Sequence, residues 1–205
     1  PGRILARSDR GRSRSHFMKP AGMALLLGMI GSVFAASPDP QKTRALVAVV
    51  QSNADLAERA RALQQLALVA SKDAIPALTA LLADEKLGQY ARDVLEGMPD
   101  PAAGAALRAA LGQQKGKALI GVVNSLGVRR DAQAVEAIGR LAADPAAGAA
   151  APALLALGRI GTPEALRIIE PAVARGPAAL RAAAAEACLI AADRQRQAGK
   201  DAAAL

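Results

Sequence analysis

The sequence predicts an all-α fold, an α-solenoid built from about five stacked helical hairpins. Three observations carry that prediction. One column of residues, Leu66, Leu95, Leu126, Leu157 and Cys188, recurs at spacings of 29, 31, 31 and 31 residues. A second column four residues earlier, Ala62, Ala91, Val122, Ala153 and Ala184, keeps the same spacings. A fixed period of about 30 residues marks a stack of similar small units. The third observation is composition: hydrophobic residues make up 52% of the chain and aromatics 1%. The apolar content is therefore mostly Ala, Leu, Val and Ile. Alanine is the best helix former, and the alternating pattern of a half-buried strand is absent.

The chain opens with a segment that stands outside the fold. Residues 1–17 begin at Pro1 and read as upstream sequence or as the basic front of an extended leader, because Met18 is a natural start. Ser13-Arg14-Ser15 lacks the second arginine of a twin-arginine export motif. Residues 18–35 read as a secretory signal peptide. Lys19 and Pro20 precede the apolar run Ala21–Phe34, whose 14 residues are short for a membrane-spanning helix. Val33 and Ala35 supply small residues at −3 and −1, so cleavage is expected after Ala35. An uncleaved anchor or a buried helix is the alternative. No cysteine lies near the cleavage point to carry a lipid. The expected location is periplasmic or secreted, with no membrane attachment after leader cleavage. A single thiol forms no internal disulfide, which permits export without requiring it.

Residues 36–40 read as a Pro-containing linker, and 41–193 as the repeat array. Each unit reads as two short helices. The first carries Ala45, Ala74, Ala103, Ala134 and Ala165, with Val49, Leu78, Leu107, Ile138 and Ile169 four residues on. An i, i+4 pair lies on one side of a helix. The second carries the Ala62 and Leu66 columns, so each unit presents two apolar stripes that only stacked neighbours can bury fully. Asp100-Pro101, Asp144-Pro145 and Thr162-Pro163 each place a capping oxygen before a proline at a helix start. Gly127, Gly158 and Gly176 are expected near helix ends, and Pro76, Pro152 and Pro171 inside helices, where they would bend them. Residues 194–205 break register: Gly199-Lys200-Asp201-Ala202 reads as a fresh turn and helix start, which suggests a further repeat or a truncated end.

The net charge of +8 is unevenly placed. Before residue 36 there are six basic residues and one acid, whereas the remainder carries 20 basic and 17 acidic residues. So dilute an excess gives no phosphate-tracking stripe, and no aromatics interleave to stack bases, so nucleic acid is not an expected partner. His16 is the only histidine and lies in the leader. Ser-His-Asp and Cys-His catalysis, histidine-based zinc sites and the CxxCH haem motif are thereby excluded from the mature chain. There is no P-loop and no GxGxxG. Cys188 occupies a leucine column and reads as a small buried hydrophobe rather than a nucleophile. Asp84, Glu85, Glu96 and Asp100 read as solvated loop or cap residues, since no apolar pocket to raise a carboxyl pKa is indicated. No cofactor and no metal are expected, and the chain reads as non-catalytic.

The segments Leu154-Leu155-Ala156-Leu157-Gly158-Arg159-Ile160-Gly161-Thr162-Pro163-Glu164-Ala165-Leu166 and Arg181–Leu189 resemble HEAT repeats, especially the short kind found in phycobilisome-lyase-like proteins. Weaker copies occur at Arg59–Ala67 and Leu126–Ile138. The resemblance implies a right-handed α-solenoid whose second helices line the concave side. It also implies a scaffold, an adaptor or an accessory domain. On the second helices, Gln64, Asp93, Asn124, Leu155 and Glu186 lie two residues before the Leu66 column. Arg61, Tyr90, Gly121, Pro152 and Ala183 lie five before it. Both sets are expected to point away from the core, and stacking turns them into ladders. Arg61, Gln64, Tyr90, Asp93, Asn124 and Glu186 are the candidate contacts for a protein partner or for another domain of the same longer chain; an ordinary solvated helix face accounts for the same pattern. The rival readings are an accessory repeat region of a larger exported redox enzyme and a bilin-lyase-like protein.

Overall fold

The computed structural model describes residues 38–144, 146, 148–197 and 199. The leader, its cleavage after Ala35 and the expected helix start at Asp201 lie outside the described residues. Among those described, the chain is all-helical, with ten α-helices and two short 3-10 turns. The helices fall into five consecutive pairs: α1 (Pro40–Gln51) with α2 (Leu56–Val69), α3 (Ile75–Ala80) with α4 (Gly88–Gly97), α5 (Pro101–Ala110) with α6 (Gly116–Val128), α7 (Val135–Ala143) with α8 (Ala150–Ile160), and α9 (Pro163–Arg175) with α10 (Ala178–Gln197). The two partners of every pair pack together. The second helices also pack in series, α2 on α4, α4 on α6, α6 on α8 and α8 on α10.

The two columns on the second helices form the spine of the core. Leu66, Leu95, Leu126 and Leu157 are fully buried, as are Ala91, Val122, Ala153 and Ala184, with Ala62 nearly so. Burying one such leucine contributes about 1.5–3 kcal/mol. The first-helix columns are buried from the second unit on, at Ala74, Ala103, Ala134 and Ala165 and at Leu78, Leu107, Ile138 and Ile169. Ala74 and Ala134 close 3-10 turns, Lys72–Ala74 and Ala132–Ala134, rather than sitting inside α-helices.

The first unit departs from the expected register. Ala45 is exposed and Val49 half-buried, whereas Thr43 and Val50 are buried. Thr43 ties α1 to the end of α2 through a hydroxyl: Oγ1 donates to the Val69 carbonyl (3.1 Å) and accepts from the Ser71 amide (3.0 Å). A polar bridge has replaced an apolar anchor there, and a hydrophobic column cannot foretell it.

Capping follows chemistry more closely than expected. Asp100 Oδ1 accepts from the Ala102 amide at the start of α5, and Thr162 Oγ1 from the Ala165 amide at the start of α9. Asp131 holds the corresponding place before the second 3-10 turn and accepts from the Gln133 amide. Asp144 does not begin an α-helix. It closes α7, its Oδ1 accepts from the Ala146 amide, and α8 starts only at Ala150. Pro145 lies outside the described residues.

Gly127 and Gly158 lie in the last turns of α6 and α8 and Gly176 directly follows α9, near helix ends as expected, but none of the three is left-handed and Gly176 is extended. The left-handed helix end belongs to Gly161, at φ 66° after α8. Pro76 and Pro152 sit in the first turns of α3 and α8, where a missing N–H costs nothing. Pro171 alone of the three is interior to its helix, α9. Finally, α10 continues through Gln197, past the boundary expected at residue 193, and Gly199 follows with φ 75°.

Candidate partner-binding face

The candidate contact residues lie on helices that pack in series: Arg61 and Gln64 on α2, Tyr90 and Asp93 on α4, Asn124 on α6 and Glu186 on α10. Arg61, Gln64, Asp93 and Glu186 are exposed. Arg61 Nε donates to the Ala57 carbonyl of its own helix (3.2 Å), and Asp93 Oδ1 accepts from Gln89 Nε2 (2.6 Å). Tyr90 and Asn124 differ from expectation. Tyr90 is half-buried and packs against the core. Asn124 is half-buried too, and its Oδ1 lies 3.5 Å from Arg159 Nη1 of α8. Both side chains therefore serve contacts within the chain. At the intervening position on α8, Leu155 is half-buried.

Of the carboxylates expected in loops or caps, Asp84 and Asp100 cap backbone amides, whereas Glu96 reaches the next second helix. Asp84 Oδ1 accepts from the amides of Lys86 (2.8 Å) and Leu87 (2.7 Å). The Leu87 bond does most to hold the Asp84 carboxyl below its ordinary pKa. Glu96 Oε1 accepts from the buried Ser125 hydroxyl of the next second helix (2.6 Å). Cys188 is half-buried and packs against the core. Burial, and then the Glu170 charge, push its thiol pKa up, which suits a packing residue and suppresses the thiolate a nucleophile needs. Among the described residues no group of His, Cys, Asp and Glu could hold a metal ion, and no helix is long and apolar enough to cross a membrane.

Two arginines carry roles that column reading misses. Arg129, just after α6, reaches back over the end of α4. Its Nη1 donates to the carbonyls of Leu95 (2.6 Å), Glu96 (3.1 Å) and Met98 (2.5 Å), and Nη2 to that of Asp100 (3.3 Å). The guanidinium thus satisfies carbonyls that a helix end leaves without partners. Arg92 on α4 is only 9% exposed, and its Nη2 donates to Gln89 Oε1 (2.8 Å). Desolvation draws its pKa down, opposed by the charges of Asp93 and Glu96. A Cβ added to Gly121 would lie 2.5 Å from the Arg92 Cζ, so the glycine on α6 makes room for the guanidinium. A large residue paired with glycine 29 positions later was the available signal.

No protein-family model matches the chain, and no curated protein matches it.

Proposed function

We propose that this protein is a non-catalytic, exported scaffold. In this reading it is a right-handed α-solenoid of HEAT-like units that binds another protein, or another part of its own longer chain, through the outward face of its second helices. The observation that carries the reading is the serial packing of α2, α4, α6, α8 and α10, which repeats one surface position along consecutive helices. Arg61, Gln64, Asp93 and Glu186 are the exposed members of that face and offer charges of both signs. Half-burial of Tyr90 and Asn124 assigns them to shaping the face rather than to contacting a partner.

The test is affinity capture from envelope and secreted extract of the source organism. The full chain serves as one bait and a variant with Arg61, Gln64, Asp93 and Glu186 changed to Ala as the other. A partner retained by the first bait and lost by the second, at unchanged helicity, supports the reading. A partner retained equally by both, or none retained by either, removes this face from consideration.

A further inference from the structure

A cleft of about 530 Å³ opens beside α4, between the turn after α3 and the first turn of α6; its polar lining is Asp84, Glu85, Gln89, Arg92, Lys115 and Lys117. Three features give it a positive pole. Arg92, only 9% exposed as a whole residue, lines it and is still cationic at neutral pH. Lys115 and Lys117 are exposed at its rim. Lys115 also stands at the N-cap of α6 and supplies no side-chain acceptor, so the first amides of that helix lack a cap.

Arg92 has no carboxylate within ion-pair distance among the described residues, although acids surround it. Each of these acids has another partner. Asp93 accepts from Gln89, Glu96 from Ser125, and Asp84 from two backbone amides. Gln89 neutralises one edge of the guanidinium with a single neutral acceptor. Glycines flank the group on two sides: a Cβ on Gly121 would lie 2.5 Å from Nε, and one on Gly88 3.4 Å from Nη1. A guanidinium with one edge bonded to Gln89 and its other donors open to solvent, seated between two glycines in a cleft with two lysines, is placed to bind an anion.

We infer that this cleft binds a carboxylate, held by the Arg92 fork and by Lys115 and Lys117. Guanidinium geometry matches the two oxygens of a carboxylate. Asp84 and Glu85, which also line the cleft, disfavour a multiply charged anion such as phosphate. The carboxylate belongs either to a free small molecule or to the end of a peptide chain. The site lies beside the partner-binding face and does not depend on that reading.

Titration calorimetry on the full chain tests the inference with four probes: N-acetylalanine, its amide, tetra-alanine with a free C-terminus and inorganic phosphate. Saturable binding of a carboxylate probe is expected, with the amide weaker by about tenfold or more, the loss of a charge-assisted hydrogen bond, and phosphate weaker through repulsion by Asp84 and Glu85. Equal affinity of N-acetylalanine and the peptide identifies a free small molecule; a tighter peptide identifies a chain terminus. Arg92→Lys keeps the charge but loses the fork, so binding falls. Lys117→Gln, on the surface, weakens binding without touching the core, which guards against a folding defect in the Arg92 variant. No saturable carboxylate binding, equal binding of acid and amide, preferred binding of phosphate, or Lys117→Gln and Arg92→Lys proteins that bind like the parent would each overturn it.

Discussion

Gly158 lies so close to Ala187 that a Cβ on the glycine would fall 2.5 Å from the Ala187 carbonyl oxygen. Gly127 stands in the same relation to Ala156, with a looser approach of 3.0 Å. Both pairs sit 29 residues apart, joining α6 to α8 and α8 to α10. Helix backbones approach this closely only where one partner has no side chain. Two opposing effects meet at these positions.

Helix propensity favours Ala over Gly by about 1 kcal/mol. Overpacking a filled contact costs about 1–3 kcal/mol, and at Gly158 the obstacle is backbone that cannot rotate away. Gly158→Ala is therefore expected to destabilise. Gly97→Ala serves as the control, since nothing lies within 4 Å of its would-be Cβ, and should be neutral or stabilise by up to about 1 kcal/mol. Urea denaturation midpoints compare them. A Gly158→Ala protein as stable as the Gly97→Ala protein would mean that the close approach is not maintained.

Arg129→Ala leaves helix-end carbonyls without their donor and is expected to cost about 1–3 kcal/mol. Arg129→Lys should recover only part of this, because one ammonium cannot span acceptors on Leu95, Met98 and Asp100 as a planar fork does. The readout is again the denaturation midpoint. Full recovery by lysine would show that charge alone, acting on the helix end, accounts for the contribution.

Cys188 should behave as a packing residue. With its pKa raised by burial and by Glu170, the thiolate fraction lags behind that of a free cysteine as pH rises. Alkylation of the folded protein is thus expected to be slower than that of a free thiol near neutral pH, and to keep accelerating above the range where the free thiol levels off. Urea unfolding should abolish the difference. Cys188→Leu is expected to be tolerated, whereas Leu157→Ala, at a fully buried place in the same column, should cost about 2–5 kcal/mol. Native-state labelling as fast as that of the unfolded chain would refute the assignment.

The helix pairs and the buried columns were legible because both rest on periodic apolar residues, and burial follows periodicity wherever a unit has neighbours on both sides. The first unit departs from its column at Ala45 because the Thr43 hydrogen bonds to the end of α2 shift the register of α1, so that Val50 is the residue buried. Gly127 and Gly158 do lie near helix ends, but glycine has two uses, a positive φ and the absence of a Cβ, and only the neighbouring helix reveals that the second applies here. The same holds for the candidate face. Spacing places Tyr90 and Asn124 on it, but the packing of Tyr90 against the core and the reach of Arg159 to Asn124 decide how much of each remains outside. Arg92 is not legible as a buried residue because a charged residue beside Asp93 reads as surface, and its burial depends on Gly121 from the following unit.

Glu96 faces Ser125, Gly127 faces Ala156 and Gly158 faces Ala187 across three successive joints. The units are consequently not interchangeable bricks. Exchanging the second helices of the second and third pairs would set the Glu96 carboxylate against an alanine at one joint and Gly127 against a valine at another. Order along the chain is written in the size and polarity of a single position per unit, so a duplicated or transposed unit would misfit its new neighbours even though its own hairpin was intact.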